Sequence, residues 1–493
     1  MDPFNPELSL TAVRCWVLLG RLTPTGQRFT LAGAARNRSA SPLSGRGLRV
    51  DNERNLAAAD RVVRLLRHVG IERVHIVQGA AEAAAHPEMV ASLALVTPAV
   101  SASSPLHQLA VSGTLAPPPL LIHSDAGPLS AAAAFVRVAD PDATAVVLGG
   151  YASALWTDTV ADRAEEIAAA LLTHLAEAQR LTPLPTLALA GEGEVAGVTY
   201  RARGAGPPVF LFPLHLAPSQ WEPILPVLAE HFCTIIIGGQ HLGFASILEQ
   251  RAVGGYGVVV DELIDALGLT EGGSAVDVGC GTGAFTRRLA RRLGPAGRVV
   301  GADISAYLLR EAAALARRQG LEEVIRFEVG SAEALTFPDG RFDAALACTV
   351  LDEVDAERAL AELARVVRPK GRVAVLVRAV DIPTWDSLPL RSELRAKVAA
   401  RPTGGVTAGV CADGSLYRRF RAAGFRDVTM GPRLAIDRAE CSLPEWRAYY
   451  EGSSVGVLSE TEAAEWHAVA AHASAERSFL WASAYHCAVG TMP

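Results

Sequence analysis

Nothing in this sequence reads as an export signal or a membrane span. The opening, residues 1–15, carries acids and prolines where a signal peptide needs a basic start and an unbroken apolar run. No apolar run elsewhere is long enough to cross a bilayer, so a cytoplasmic protein is expected. Excess positive charge is missing too. The 46 Lys and Arg stand against 52 Asp and Glu, a formal charge of -6, which leaves no basic field to hold nucleic acid. The seven cysteines (Cys15, Cys233, Cys280, Cys348, Cys411, Cys441 and Cys487) are odd in number, scattered and never spaced as C-x-x-C. That argues for reduced buried thiols and against a disulfide framework or structural zinc. Neither H-E-x-x-H nor an EF-hand loop occurs, so no metal is expected. Charge itself is scarce, at 20% against 50% hydrophobic residues, which favours well-buried α/β domains over disorder.

A serine is also missing where the chain's pattern has a place for one. "VHIVQGAAEAAAHPEMVASLALVTP", residues 74–98, outlines strand, tight turn, Ala-rich helix and strand. A G-x-S-x-G elbow would sit at such a turn, but here it reads Gly79-Ala80-Ala81-Glu82-Ala83, with Ala81 at the nucleophile position.

At 493 residues the chain is long enough for two or three domains. Residues 1–183 alternate short apolar runs, among them "VRCWVLLG", "RVHIVQG", "PPPLLIHSD" and "ATAVVLGG", with helical ones, the pattern of a parallel sheet. Residues 190–243 hold a further strand-helix-strand unit with a Gly-Pro-Pro turn. From 246 onward, "ILEQRAVGGYGVVVDELIDALGL" reads as one amphipathic helix leading into the most informative motif.

That motif is "SAVDVGCGTGAFTRRLARRLG", a hydrophobic strand, a Gly-rich turn and a basic helix. Asp277, Gly279, Gly281 and Gly283 make D-x-G-x-G-x-G, glycines that allow a sharp turn and the close approach of a ligand. Twenty residues past Gly283 a second strand ends at Asp303, where an acid can accept from two ribose hydroxyls. The same residues satisfy the NAD fingerprint, with Gly279, Gly281 and Ala284 as G-x-G-x-x-A. Two features decide against it: a carboxylate at Asp277 repels a pyrophosphate and welcomes an amino group, and the sequence downstream follows a different pattern. The basic helix face Arg287, Arg288, Arg291 and Arg292 reads as solvated rather than as an anion site, given the acidic total charge.

This turn, with "GSAEALTFPDGRFDAALACTVLDEVDAERALAELARVVRPKGRVAVLVRAV" after it, resembles the class I S-adenosylmethionine-dependent methyltransferases, particularly the ubiquinone and menaquinone biosynthesis group. The resemblance runs from about Gly254 to the C-terminus and implies a Rossmann-like domain over 246–493 that binds S-adenosyl-L-methionine. It implies that Gly279, Cys280, Gly281 and Gly283 surround the methionine end, Asp277 lies near its amino group, and Asp303 with Ile304 meets the ribose. Gly330-Ser331-Ala332-Glu333 stands where the family has G-D-A-E, so adenine contact falls to Ser331 and Ala332. Cys348 and Thr349 end the fourth strand and face the cofactor. Lys370 replaces a usual glycine at a turn. An acceptor that must lose a proton needs a base, and the candidates are Asp352, Glu353, Tyr417, His467 and His486.

Residues 1–183 resemble the late strands of an α/β-hydrolase, and 190–243 its opening, so the segments are permuted. The family's acid and histidine positions fall on Gly127, with Asp125 nearby, and on Ser153. With nucleophile, acid and base all replaced, acyl transfer has no mechanism. Residues 190–243 are expected to complete the first sheet, because a sheet without its early strands would leave an apolar edge. The implied function is methyl transfer to a small molecule, with an inactive hydrolase-like domain that gates, binds or mediates a homodimer. A non-catalytic S-adenosylmethionine sensor is the alternative, favoured by Ser331 and Lys370, and a residual hydrolase ranks last. The acceptor pocket is expected around residues 379–398 and from Trp446 to Trp466.

Overall fold

The computed structural model describes residues 57–98, 118–127, 129–130, 143–153, 157–239, 241–399, 409–439 and 458–493. The apolar run at 13–20, Cys15, Cys441 and Trp446 lie outside these residues.

The first sheet begins after helix α1 (Ala58–His68). Strand β1 (Val74–Val77) leads through helix α2 (Ala80–Ala85) to β2 (Val90–Val96), and then come β3 (Leu120–Ala126) and β4 (Thr144–Ala152). All four residues of β1 and all seven of β2 are buried, as expected of parallel strands covered on both faces. Helix α3 (Ala164–Leu181) follows and covers β2 and β3, burying Ile167, Leu171 and Leu175. Four more strands then join the same sheet: β5 (Gly191–Val195), β6 (Val198–Arg203), β7 (Pro208–Leu211) and β8 (Cys233–Gly238). The order across the sheet is β4-β3-β2-β1-β7-β8-β6-β5. Strand β7 lies parallel to β1, with Ile76 opposite Phe210. The β5–β6 hairpin turns through Ala196 and Gly197, both with positive φ (52° and 79°), the geometry that suits the twist of a two-residue hairpin.

The second sheet follows helices α4 (Gly243–Val253) and α5 (Gly255–Ala266). The sequence pattern reads as one helix here, but the structure breaks it at Gly254-Gly255. Strand 426–438 passes so near that a Cβ on Gly255 would lie 2.3 Å from the Ile436 nitrogen. Gly255 N–H instead donates to Asp437 Oδ1 at 2.9 Å.

The succession is then β9 (Ser274–Val278), α6 (Ala284–Leu293), β10 (Arg298–Asp303), α7 (Ala306–Arg318), β11 (Ile325–Val329), β12 (Phe342–Cys348), α8 (Ala356–Val366) and β13 (Val367–Arg378). After β14 (Trp385–Asp386) come α9 (Ser392–Ala399), α10 (Leu416–Ala422), β15 (Arg426–Arg438), α11 (Glu460–Ala475) and β16 (Leu480–Thr491). The order is β11-β10-β9-β12-β13-β16-β14, with β15 beside β16. The first five strands are parallel, and β16 runs antiparallel to β13. Lys370 lies exposed within β13, with left-handed backbone (φ 65°).

Order reverses at β9, whose successors go one way to β10 and β11 and the other way to β12 and β13. A doubly wound sheet opens a ligand crevice at such a point, beyond the carboxyl ends of its strands. The two sheets meet through α4 and α7. Leu216 and Ala217, from the loop after β7, pack on Leu308 of α7 and on Phe244 and Leu248 of α4. Tyr307 of α7 donates to Asp158.

Among the described residues no helix is long and apolar enough to cross a membrane.

Candidate functional site

The crevice is lined by the turn after β9. Gly279, Gly281 and Gly283 all take left-handed backbone (φ 69°, 54° and 73°), so the reversal needs glycine at each. Neighbours enforce this, since a Cβ on Gly279 would lie 2.3 Å from Val350 Cγ2 and one on Gly283 2.9 Å from the Phe327 ring. The backbone is also latched to β10. Gly279 N–H and Cys280 N–H donate to Ala302 O, at 2.7 and 3.1 Å, which leaves the Gly279 side of the turn open to solvent.

Asp303 ends β10 beside that turn. Its Oδ2 accepts from Gly281 N–H at 2.8 Å and its Oδ1 from Ser305 N–H at 2.9 Å. Burial raises its pKa, against the pull of these backbone donors. Each oxygen has a second lone pair, so the carboxylate can hold the turn and still accept from two vicinal hydroxyls. Ile304 follows, 75% exposed, an apolar surface at the crevice wall.

Asp277 lies lower, 2% exposed, with Oδ2 accepting from Thr286 Oγ1 of α6 at 2.6 Å. Burial pushes its pKa up to about 7; the Thr286 hydrogen bond opposes this and the charge of Asp303 adds to it. A buried carboxylate with one neutral partner is stabilised by an incoming cation, so the two acceptor groups suit the ammonium and ribose of a methionine-bearing nucleoside.

Ser331 and Ala332 sit past β11. The Ser331 Oγ accepts from Glu333 N–H at 3.2 Å, a local turn, and Ala332 is buried in the core. Cys348 ends β12 at 9% exposure, and burial with the Asp277 charge pushes its thiol well above the usual range. A neutral thiol is a poor nucleophile, so Cys348 fills space. Thr349 has φ 55°, an uncommon value for a β-branched residue.

The five candidate bases divide by burial and contact. Asp352 is buried, with Oδ2 accepting from Arg378 Nε at 2.6 Å and Oδ1 without a partner. Glu353 is exposed and binds Arg378 Nη2 at 2.6 Å. His486 is 6% exposed, its Nε2 is 2.7 Å from Asp381 Oδ1, and its Nδ1 is buried and unpartnered. Tyr417 and His467 are exposed on α10 and α11, and among the described residues neither bonds the glycine turn. Of residues 379–398, Asp381 reaches His486, while Leu388, Leu394 and Val398 pack with Trp466 in a separate cluster.

Helix α4 belongs to this site, although no motif marks it. Leu248 Cδ1 lies 3.0 Å from where a Gly281 Cβ would be. Glu249 accepts from Thr282 Oγ1 and from Arg287 Nη2, both at 2.6 Å. Arg287, read as part of a solvated face, is thus buried and paired, while Arg288, Arg291 and Arg292 line a surface groove with Asp261. Only the mixed polarity of "ILEQR" hinted that α4 faces another polar surface.

In the first sheet the left-handed turn residues are Gln78 (φ 63°) and Gly79 (φ 73°), and Ala81 lies inside α2. The strained position between strand and helix is therefore Gln78, three residues earlier than the sequence pattern placed it. Its side chain is spent on structure, donating to Val96 O at 2.9 Å and accepting from Val96 N–H at 3.1 Å. Asp125 accepts from Gly150 N–H and Tyr151 N–H, and Ser153 hydrogen-bonds Ser124.

Comparison with known proteins agrees with the second sheet. The methyltransferase domain family matches residues 276–375, from β9 through most of β13. The ubiquinone/menaquinone biosynthesis C-methyltransferase UbiE of Hahella chejuensis is 37% identical over 145 residues, 27% of this chain and 58% of that protein. An uncharacterized 37.1 kDa protein in transposon TN4556 of Streptomyces fradiae is 34% identical over 181 residues, 36% of this chain and 50% of that one. The chain spans about half the length of the curated relatives it matches. The solved [4+2]-cyclase SpnF overlaps 48% of this chain and 81% of its own at 24% identity, with a TM-score of 0.31, too low to bear on the reading. Residues 276–375 thus match the methyltransferase domain family, within a longer chain.

Proposed function

We propose that the chain transfers the methyl group of S-adenosyl-L-methionine to a small-molecule acceptor. The observation that carries this is the triple left-handed glycine turn of β9, latched to Asp303 at the switch point of the sheet. Asp277 takes the ammonium, the turn passes along the methionine chain, Asp303 accepts from the ribose hydroxyls and Ile304 lies against the nucleoside. Ser331, turned to its own backbone, leaves the adenine edge to main-chain contacts at Ala332.

The bound cofactor supplies a sulfonium methyl: the acceptor's electron pair forms the new bond to carbon as the carbon–sulfur bond breaks and its electrons return to sulfur. The chain's task is alignment and exclusion of water. Leu248 closes the crevice from above, and Glu249 fixes α4 there. Where the acceptor must lose a proton, Asp352 Oδ1 and His486 Nδ1 are the buried, unpartnered atoms among the candidates.

The first sheet is read as a catalytically silent, permuted hydrolase-like unit. Its support is the strained turn at Gln78, the loss of acid and base at Gly127 and Ser153, and a strand order in which the later segment, β5–β8, extends the sheet from β1. Its role is to hold α4, which leaves β8 through Gly239 and Gly243. Calorimetry with S-adenosylmethionine on the full chain tests the reading. One site per chain, lost in Gly281→Arg, supports it, and heat unchanged by that substitution refutes the site. Cofactor binding without turnover onto any acceptor would favour a sensor.

A further inference from the structure

We infer that Arg251 anchors the acceptor, and that the acceptor carries an oxyanion (carboxylate, phenolate or enolate) near the atom that receives the methyl. The inference rests on the methyl-transfer reading above and names the substrate class of that site.

A guanidinium is always charged and has five N–H donors. Arg251, partly buried at the end of α4, uses Nη2 to donate to Thr349 Oγ1 at 2.7 Å, and its Cζ lies 3.7 Å from the centroid of the Tyr256 ring. Both partners are neutral. Among the described residues no carboxylate stands within ion-pair distance of it, whereas the neighbouring buried Arg287 is paired with Glu249 at 2.6 Å. The charge of Asp352 acts on Arg251, but its Oδ2 is held by Arg378. Withdrawing a cation from water without a counter-ion is costly, so a guanidinium held this way is matched to an anion that arrives with a ligand.

Three observations place that ligand on the acceptor side of the crevice. First, the residues around Arg251 come from β12, β13 and β16: Thr349 follows β12, Asp352 is bonded to Arg378 of β13, and Tyr256 meets Tyr485 of β16 with ring centroids 5.0 Å apart. These strands lie across β9 from β10, which carries Asp303. Second, Thr349 is held in its left-handed conformation from several directions. Its N–H donates to Leu376 O at 2.7 Å, its hydroxyl donates to Cys348 O at 2.7 Å, and it accepts from Arg251. Strain fixed by so many contacts is typical of a functional site. Third, Asp352 Oδ1 is buried without a partner beside the cation, ready to accept from a hydroxyl or amine of the same ligand. Tyr256 and Tyr485, both buried, back the guanidinium from the core side.

The cofactor's own carboxylate is the competing anion, and the test separates the two. The full chain, loaded with S-adenosylhomocysteine, is titrated calorimetrically with benzoate and salicylate and with their neutral amides. Wild type, Arg251→Gln, Arg251→Lys and the surface control Arg317→Gln are compared, with thermal melts as the check of folding. The carboxylates should bind wild type about tenfold or more tighter than the amides, as one charge-assisted hydrogen bond implies. Arg251→Gln should erase that preference, Arg251→Lys should keep part of it, and S-adenosylhomocysteine affinity should stay nearly constant. No preference in wild type, or a preference that survives Arg251→Gln, overturns the inference. So does a parallel fall in S-adenosylhomocysteine affinity, which would give Arg251 to the cofactor carboxylate. Failure of wild type to bind S-adenosylhomocysteine would instead sink the methyl-transfer reading, and benzoate against benzamide on the empty chain would still decide for Arg251.

Discussion

Cofactor affinity should depend on pH through Asp277, and Asp277→Asn should remove most of that dependence. Burial raises this carboxyl to about 7 in the empty protein, from an ordinary 3.8. The folded pKa lies above the unfolded one, so the empty fold binds a proton that the unfolded chain has released. The contribution of Asp277 to stability is therefore greatest below about pH 3.8 and is lost as pH rises toward 7, by roughly 4 kcal/mol at ~1.36 kcal/mol per unit. An ammonium placed beside Asp277 favours the ionised form, so below pH 7 binding must expel the proton. Between pH 7 and pH 5 the affinity should fall about fiftyfold, ~2.3 kcal/mol, a range in which an α-amino group stays protonated. Calorimetry in buffers of different ionisation enthalpy would register close to one proton released per cofactor at pH 5 to 6. Asp303, also raised by burial, contributes its own slope, which the asparagine variant isolates. An affinity flat from pH 5 to 7 in wild type, or an equal slope in Asp277→Asn, would refute the assignment of Asp277.

Other substitutions report on neighbouring parts of the account. Gly279→Val meets both a left-handed backbone and the Val350 side chain; it should abolish cofactor binding and cost about 1 to 3 kcal/mol in a denaturation curve. Asp303→Ala strips the acceptor from Gly281 and Ser305 N–H, and calorimetry should give an affinity loss of about 1.5 to 3 kcal/mol for each ribose bond removed. Glu249→Gln leaves the buried Arg287 without its counter-ion, so chemical denaturation should show a loss of about 3 to 5 kcal/mol. Gln78→Ser restores a hydroxyl at the strained turn but no acid or base; p-nitrophenyl acetate hydrolysis should stay at the buffer rate while stability drops about 2 kcal/mol with the Val96 pairing.

The glycine turn was legible because its chemistry is local: glycine is the residue that takes three left-handed φ values in five positions, and the acid ending the next strand follows at a fixed distance. The helix break at Gly254-Gly255 was not, because its cause is the backbone of Ile436, some 180 residues away in sequence. The spacing of Gly79 and Ala83 points to Ala81, whereas the structure puts the strain at Gln78, at the end of the strand. Arg287 and Arg288 share one helix face in sequence, but Glu249 of α4 pairs with the buried Arg287 while Arg288 pairs with Asp261 at the surface. Arg251 carries no motif, since its meaning lies in the carboxylate it lacks, and that is a three-dimensional fact.

The most direct test is transfer itself. The full chain, given methyl-labelled S-adenosylmethionine and a pool of acidic and neutral small molecules, should release S-adenosylhomocysteine and place label on a member of the acidic fraction, with Gly281→Arg inactive. Bound cofactor that is never consumed with any pool member, or label confined to neutral acceptors, would contradict the account.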